Sequence, residues 1–160
     1  MNDRRNIWAL VAVALATFMT YLDNNIINVA IPVIERDLHL TTSGMEWIVS
    51  SYILTFAGLM LVGGRLPDLF GRRLIFIAGL VVFTASSLWC GLATGPESLI
   101  AARTVQGVGA AMMNPATLSI LIAAFPPRQR GTAIGIWAGT SALALAFGPI
   151  VGGVLTQDIS

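Results

Sequence analysis

Charge is scarce in this sequence. Charged residues fill 11% of its 160 positions, against about 25% in an ordinary soluble domain. A soluble fold of this size could not cover its surface with so few. Apolar residues make up 56% of the chain, and mean hydropathy is +0.79. The composition is that of an all-α integral membrane protein lying in a lipid bilayer. Lysine is absent, and all nine basic residues are Arg. They form short clusters rather than one stripe, and the net charge is +1, so no nucleic-acid partner is expected. With one cysteine, Cys90, and one histidine, His39, these residues hold no internal disulfide, no Cys/His zinc site and no neighbouring Cys–His dyad. Cys90 lies in an apolar run and reads as a small packed residue. His39 lies among charged residues between apolar runs and reads as solvated. No nucleophile–base pair or metal cluster is visible, so neither an enzyme nor a cofactor is expected.

Long apolar runs are what the chain has. Five segments, about residues 7–32, 47–64, 74–92, 99–125 and 131–155, are long enough to cross a bilayer. A signal peptide is the alternative for the first, because Ala14-Leu15-Ala16 mimics a small-residue cleavage site. The apolar run continues past that site, which favours a span. Residues 63–73 separate the second and third spans and hold three of the nine arginines. A charge at the bilayer centre costs about 2.5–3.5 kcal/mol, so this stretch reads as a tight, water-exposed turn. Gly64 and Gly71 suit such a turn. Asp68 and Arg72 are spaced for an ion pair if the turn is helical.

Arginine distribution orients the spans. Arg4, Arg5, Arg65, Arg72, Arg73, Arg128 and Arg130 fall at one set of span ends, and Arg36 alone at the other. By the positive-inside rule the N-terminus and the 63–73 turn are cytoplasmic, and five spans put the C-terminus outside.

Three sets of residues inside the spans carry candidate chemistry. Asp23 lies roughly 24 Å into the first span at 1.5 Å per residue. An ionisable group at that depth is a functional candidate by default, able to load and release a proton. The alternative is that Asp23 marks the outer end of a shorter helix. Arg103 lies in the outer half of the fourth span, as Asp23 does in the first, so a pair is geometrically allowed. A fixed Arg beside the carboxylate favours its charged form and helps expel a proton. The alternative is an arginine that snorkels to the interface. The third set is Gly148-Pro149-Ile150-Val151-Gly152-Gly153 with Gly135 and Gly139, a small-residue pattern that also serves plain helix packing. Gly107, Gly109, Ala110 and Ala111 make a second small face with the same alternative.

Taken together, these residues resemble the major facilitator superfamily, in particular the fourteen-span drug:proton antiporters of the EmrB/QacA type. Leu22-Asp23 with Asn28-Val29-Ala30-Ile31-Pro32 is similar to the first-span motif. Gly64-x3-Asp68-x2-Gly71-Arg72-Arg73 is similar to the loop signature between spans two and three. Arg103-x2-Gln106-Gly107-x-Gly109-Ala110-Ala111 is similar to the fourth-span motif. Gly135 with Gly148-Pro149-x2-Gly152-Gly153 is similar to the fifth-span antiporter motif. Asn25 departs from the family's usual Thr, Leu69 from a basic residue, and Pro67 from Ala or Gly.

The resemblance implies roles. Asp23 and Arg103 would serve proton coupling. Asp68, Arg72 and Arg73, with Gly64 and Gly71, would form a cytoplasmic latch between transporter halves. Gly135, Gly148, Pro149, Gly152 and Gly153 would seal the cavity against leak. The partners implied are protons and a small hydrophobic or cationic substrate. Residues 1–160 are expected to form an incomplete N-terminal six-helix half of the family's fold, lacking its sixth span and its partner half. Such a piece is not expected to transport alone. A second reading is a non-transporting membrane module that assembles with or regulates a partner transporter chain. The nucleotide sequence beyond the Ser160 codon separates the two.

Overall fold

A computed structural model describes residues 2–158, with side chains described for 4–154. Every described element is helical: α1 (Asn2–Asp37), α2 (Thr42–Phe70), α3 (Arg72–Gly91), α4 (Pro96–Ala124) and α5 (Pro127–Asp158). In lipid a backbone must satisfy its own N–H and C=O groups, and a helix does so within each span. All five are long and apolar enough to cross a membrane. The chain is thus a multi-pass membrane protein. Ile159 and Ser160, where the outer end was expected, lie outside the described residues.

Local chemistry sets the helix ends. The Thr41 hydroxyl accepts from the Gly44 N–H at 3.2 Å and caps α2. Pro96 and Pro127 open α4 and α5, where a missing N–H is harmless. Phe125 is extended ahead of Pro126-Pro127, which ends α4.

Two connections are shorter than the sequence suggests. The expected first span ends at about Pro32, whereas the helix α1 continues through the polar residues to Asp37. Proline is tolerated inside membrane helices, and the last turns carry Glu35, Arg36 and Asp37 on exposed positions. The 63–73 turn is the larger correction. α2 runs on through Phe70, and Gly71 alone (φ 97°) stands between it and α3. A glycine tolerates that left-handed φ, so one residue reverses the chain. The helical break also separates Asp68 from Arg72, and the local ion pair that a helical turn would allow is not formed: among the described residues Asp23–Arg103 is the ion pair present.

α4 is the hub and the most buried helix; α5 is the least buried. α4 packs along both α2 and α3, while α1 packs mainly along α5 and meets α4 more narrowly. Val13 and Ala16 of α1, Ile75 and Phe76 of α3, and Met113 and Ala116 of α4 form one apolar cluster. Tyr52, Phe83 and Ala110 form another across α2, α3 and α4. Small residues let α4 sit this close to its neighbours. A Cβ at Gly107 would come within 2.8 Å of the Tyr52 carbonyl on α2, and one at Gly109 within 2.6 Å of the Phe83 nitrogen on α3. The second small face expected on α4 is therefore two faces, one for each partner. On α2, a Cβ at Gly63 would overlap the Ala111 carbonyl. That carbonyl is special because Pro115, four residues on, has no N–H to give it.

Candidate functional site

The centre of the site is Arg103, 1% exposed and facing the α1 side of α4. Its Nη1 donates to Asp23 Oδ2 at 3.0 Å and to Gln106 Oε1 at 2.6 Å. Its Nη2 donates to Asn24 Oδ1 at 3.1 Å, and its Nε to the Ile48 carbonyl at 3.4 Å. The guanidinium also lies 4.3 Å from the centre of the Tyr52 ring, a cation–π distance. One side chain thus ties α4 to α1 and α2. Asp23 extends the tie to α3, because Ser87 Oγ donates to Asp23 Oδ1 at 3.2 Å.

This geometry decides the alternatives left by the sequence. Arg103 does not snorkel; it is buried in a polar network. Asp23 does not end a helix; α1 continues past it to Asp37. A buried charge left without its partner costs about 3–5 kcal/mol, so the two residues hold each other in place. Gln106 is fully buried, and its Nε2 has no partner among the described residues. Its other end is fixed by Arg103, with the Cys90 thiol 3.8 Å away.

Two cavities flank the pair. The first, of about 620 Å³, lies among α1, α2, α4 and α5, with walls that include Asn28, Tyr52, Phe56, Arg103, Asn114 and Trp137. The second, of about 420 Å³, lies mainly between α1 and α3, and Asp23, Ser87 and Cys90 line it. Arg103 faces the first and Asp23 the second, so the ion pair stands in the wall between them.

The remaining motif residues are elsewhere. Gly64, Asp68, Gly71, Arg72 and Arg73 are exposed at the α2–α3 turn, away from the ion pair. On α5, Gly148 and Gly152 pack against α1: a Cβ at Gly148 would overlap Asn25, and one at Gly152 would come within 3.0 Å of Val29. Pro149 lies between them within α5. A Cβ at Gly135, or at the half-buried Gly153, would meet no heavy atom within 4 Å. The fifth-span glycines therefore divide, and only part of the set makes a helix contact of this closeness. The Asn25 departure sits at that contact.

Sequence reasoning missed several members of the site. Asn24, Tyr52, Ser87 and the Ile48 carbonyl complete the network around Asp23 and Arg103. Trp137 joins α5 to α1, its indole N–H donating to Thr17 Oγ1 at 2.8 Å. Asn24 had a visible signal, a polar neighbour of Asp23 inside a span. Tyr52 and Ser87 are unremarkable residues in apolar helices, and only the fold brings them to the pair.

A bundle of helices long and apolar enough to cross a membrane, with a part-buried ion pair in the wall of a cavity, is the architecture of a multi-pass membrane protein. The particular family follows from comparison. The sequence profile of the Major Facilitator Superfamily matches residues 13–160, and the chain belongs to that family. The cephamycin export protein CmcT of Amycolatopsis lactamdurans is 44% identical over 153 residues, covering 95% of this chain and 32% of that protein. The methylenomycin A resistance protein of Bacillus subtilis (strain 168) is 43% identical over 149 residues, covering 92% and 32%. The fold is similar to the crystal structure of a bacterial homolog of the human lysosomal transporter Spinster, inward-facing and unoccupied. That match has a TM-score of 0.73 and 25% identity, and covers 95% of this chain and 30% of that one. The chain spans 26–32% of the length of the curated relatives it matches.

Proposed function

We propose that this chain is the N-terminal portion of a proton-coupled exporter of small molecules, an antiporter in which Asp23 takes and gives up the proton. The observation that carries the reading is the Asp23–Arg103 pair in the wall of the large cavity. Protonating Asp23 would remove its negative charge while Arg103 kept neutral partners: Gln106 Oε1, Asn24 Oδ1, the Ile48 carbonyl and the Tyr52 ring. Arg103 is then the fixed member and Asp23 the switched one. A proton would slacken the tie between α1 and α4 without unseating the guanidinium. Relatives whose names speak of resistance and export support the direction of transport. In this reading the N-terminus and the α2–α3 turn are cytoplasmic. Asp68, Arg72 and Arg73 latch that turn to the partner half, and Gly148 and Gly152 seal α5 against α1. The five helices do not transport alone.

The test is Asp23→Asn in the full-length transporter. Proton-driven efflux from everted vesicles is expected to disappear while substrate binding stays measurable. Efflux at the original rate in that variant would remove Asp23 from the coupling role.

A further inference from the structure

The two oxygens of Asp23 keep different company, which decides where a proton goes; the inference rests on the export reading above. Oδ2 accepts from Arg103 Nη1 at 3.0 Å. A guanidinium keeps its protons in proteins and never accepts one, so a proton on Oδ2 would be set against an N–H. Oδ1 accepts from Ser87 Oγ at 3.2 Å, its hydrogen bond among the described residues. A serine hydroxyl carries one donor and two acceptor lone pairs, and it rotates to suit its partner. It can serve a carboxylate as donor and a carboxylic acid as acceptor, which the guanidinium cannot.

Ser87 is half-buried and loosely held. A hydroxyl bound firmly to a carboxylate stands about 2.5–2.7 Å from it, and here the distance is 3.2 Å. Another acceptor lies one turn back on its own helix. Neighbouring Ser86 already uses that place, donating to the Val82 and Phe83 carbonyls at 2.7 and 3.0 Å, the back-bond of a helical serine. α1 and α3 hardly pack on each other, and the second cavity lies between them with Asp23 and Ser87 in its wall. Among the described residues the Ser87–Asp23 bond is the side-chain hydrogen bond that joins these two helices. The other titratable groups about the carboxyl are Arg103 from α4 and Tyr52 from α2, beneath that guanidinium. Cys90 of α3 and Asp37 at the far end of α1 share the cavity wall, to which α5 brings no residue.

We propose that Ser87 is the positioning residue for the proton: the proton binds Asp23 Oδ1, and the Ser87 hydroxyl turns from donor to acceptor to hold it. A hydronium ion gives up the proton that forms the Oδ1–H bond and leaves as water. Arg103 keeps its protons, and no bond of Ser87 breaks. The Ser87 O–H turns to a carbonyl one turn back, as that of Ser86 does. Oδ2, now the carbonyl oxygen of the acid, still accepts from Arg103. Loading thus shifts the hold on α1 from α4 toward α3, and release of the proton to water reverses each change.

The experiment uses the full-length transporter in lipid nanodiscs. Infrared difference spectra between acidic and alkaline pH, with the Asp23→Asn spectrum subtracted, isolate the C=O band of the protonated Asp23 carboxyl. Ser87→Ala and Ser87→Val are expected to move this band to higher wavenumber, because the acid O–H loses its acceptor. Both should lower proton-driven efflux about two- to tenfold, the equivalent of one neutral hydrogen bond. Ser87→Thr has the shape of the Val variant but keeps the hydroxyl, and it should leave the band in place. That pair separates the hydroxyl from packing and serves if Ser87→Ala folds poorly. An unmoved band in Ser87→Ala and Ser87→Val would overturn the proposal, and so would an equal move in the Thr and Val variants. A band absent at every pH would mean that Asp23 takes no proton, and this inference would fall together with the coupling role. The expected move alongside intact efflux in Asp23→Asn would keep Ser87 in its role and remove the coupling reading. An unmoved band alongside efflux lost in Asp23→Asn would do the reverse.

Discussion

Replacing Gly63 by Ala tests how tightly α2 is set against α4. Glycine inside a helix is destabilising relative to Ala by roughly 0.5–1 kcal/mol, so propensity alone favours the substitution. The structure opposes it, because the new Cβ would overlap the Ala111 carbonyl. The obstacle is backbone rather than a flexible side chain, so relief requires the two helices to move apart. Overpacking of this kind costs about 1–3 kcal/mol, which leaves a net loss of up to about 2.5 kcal/mol once propensity is subtracted. Gly58 is the control, since it lies in the same helix and a Cβ there meets nothing within 4 Å. Gly58→Ala should hold or raise stability. Thermal unfolding of both variants in nanodiscs, followed by Trp fluorescence, gives the comparison. At about 2–4 °C per kcal/mol for a chain of this size, Gly63→Ala should melt several degrees below Gly58→Ala. Equal midpoints would refute the claim that the Gly63–Ala111 approach holds the helices at this separation.

Two further substitutions probe the site. Arg103→Lys keeps the charge but loses the planar fork that reaches Asp23, Asn24, Gln106 and Ile48 together. It should lower the melting midpoint and impair efflux in the full-length transporter, and wild-type behaviour in both would refute the need for the planar fork. Gly148→Ala should destabilise the α1–α5 contact through its overlap with the Asn25 Cβ. Asn25→Gly should recover that loss and Asn25→Ala should not, because the overlap is with the Cβ itself; equal recovery by both would place the strain elsewhere.

Much of this fold was readable before the structure. Length and hydropathy located the five spans because a bilayer demands little else of a helix. The Asp23–Arg103 partnership was readable as an allowed pair, since both charges fall in the outer halves of their spans. Residues 63–73 misled because charge and glycine rule out hydrocarbon but do not rule out helix. α2 carries its charges on an exposed end, and Gly71 does the turning that a longer loop was expected to do. The small-residue patterns predicted close packing without saying against what. Gly107 and Gly109 stand two residues apart and serve different helices, while Gly148 matters because Asn25 is opposite. The rest of the network could not be read in advance, since Tyr52 and Ser87 acquire their meaning from residues on other helices.

The pairing of α1 with later helices has a consequence for synthesis. Asp23 and Arg103 are separated by 80 positions, and α1 packs mainly against α5, the last of the described helices to be made. At about 5–20 residues per second, the carboxylate waits on the order of 4–16 s before its arginine is made. During that interval α1 holds an unmatched acid in or beside the bilayer, while α2, α3 and α4 are made in succession. Of the described helices, α1 is made first and is thus among the last to find its place.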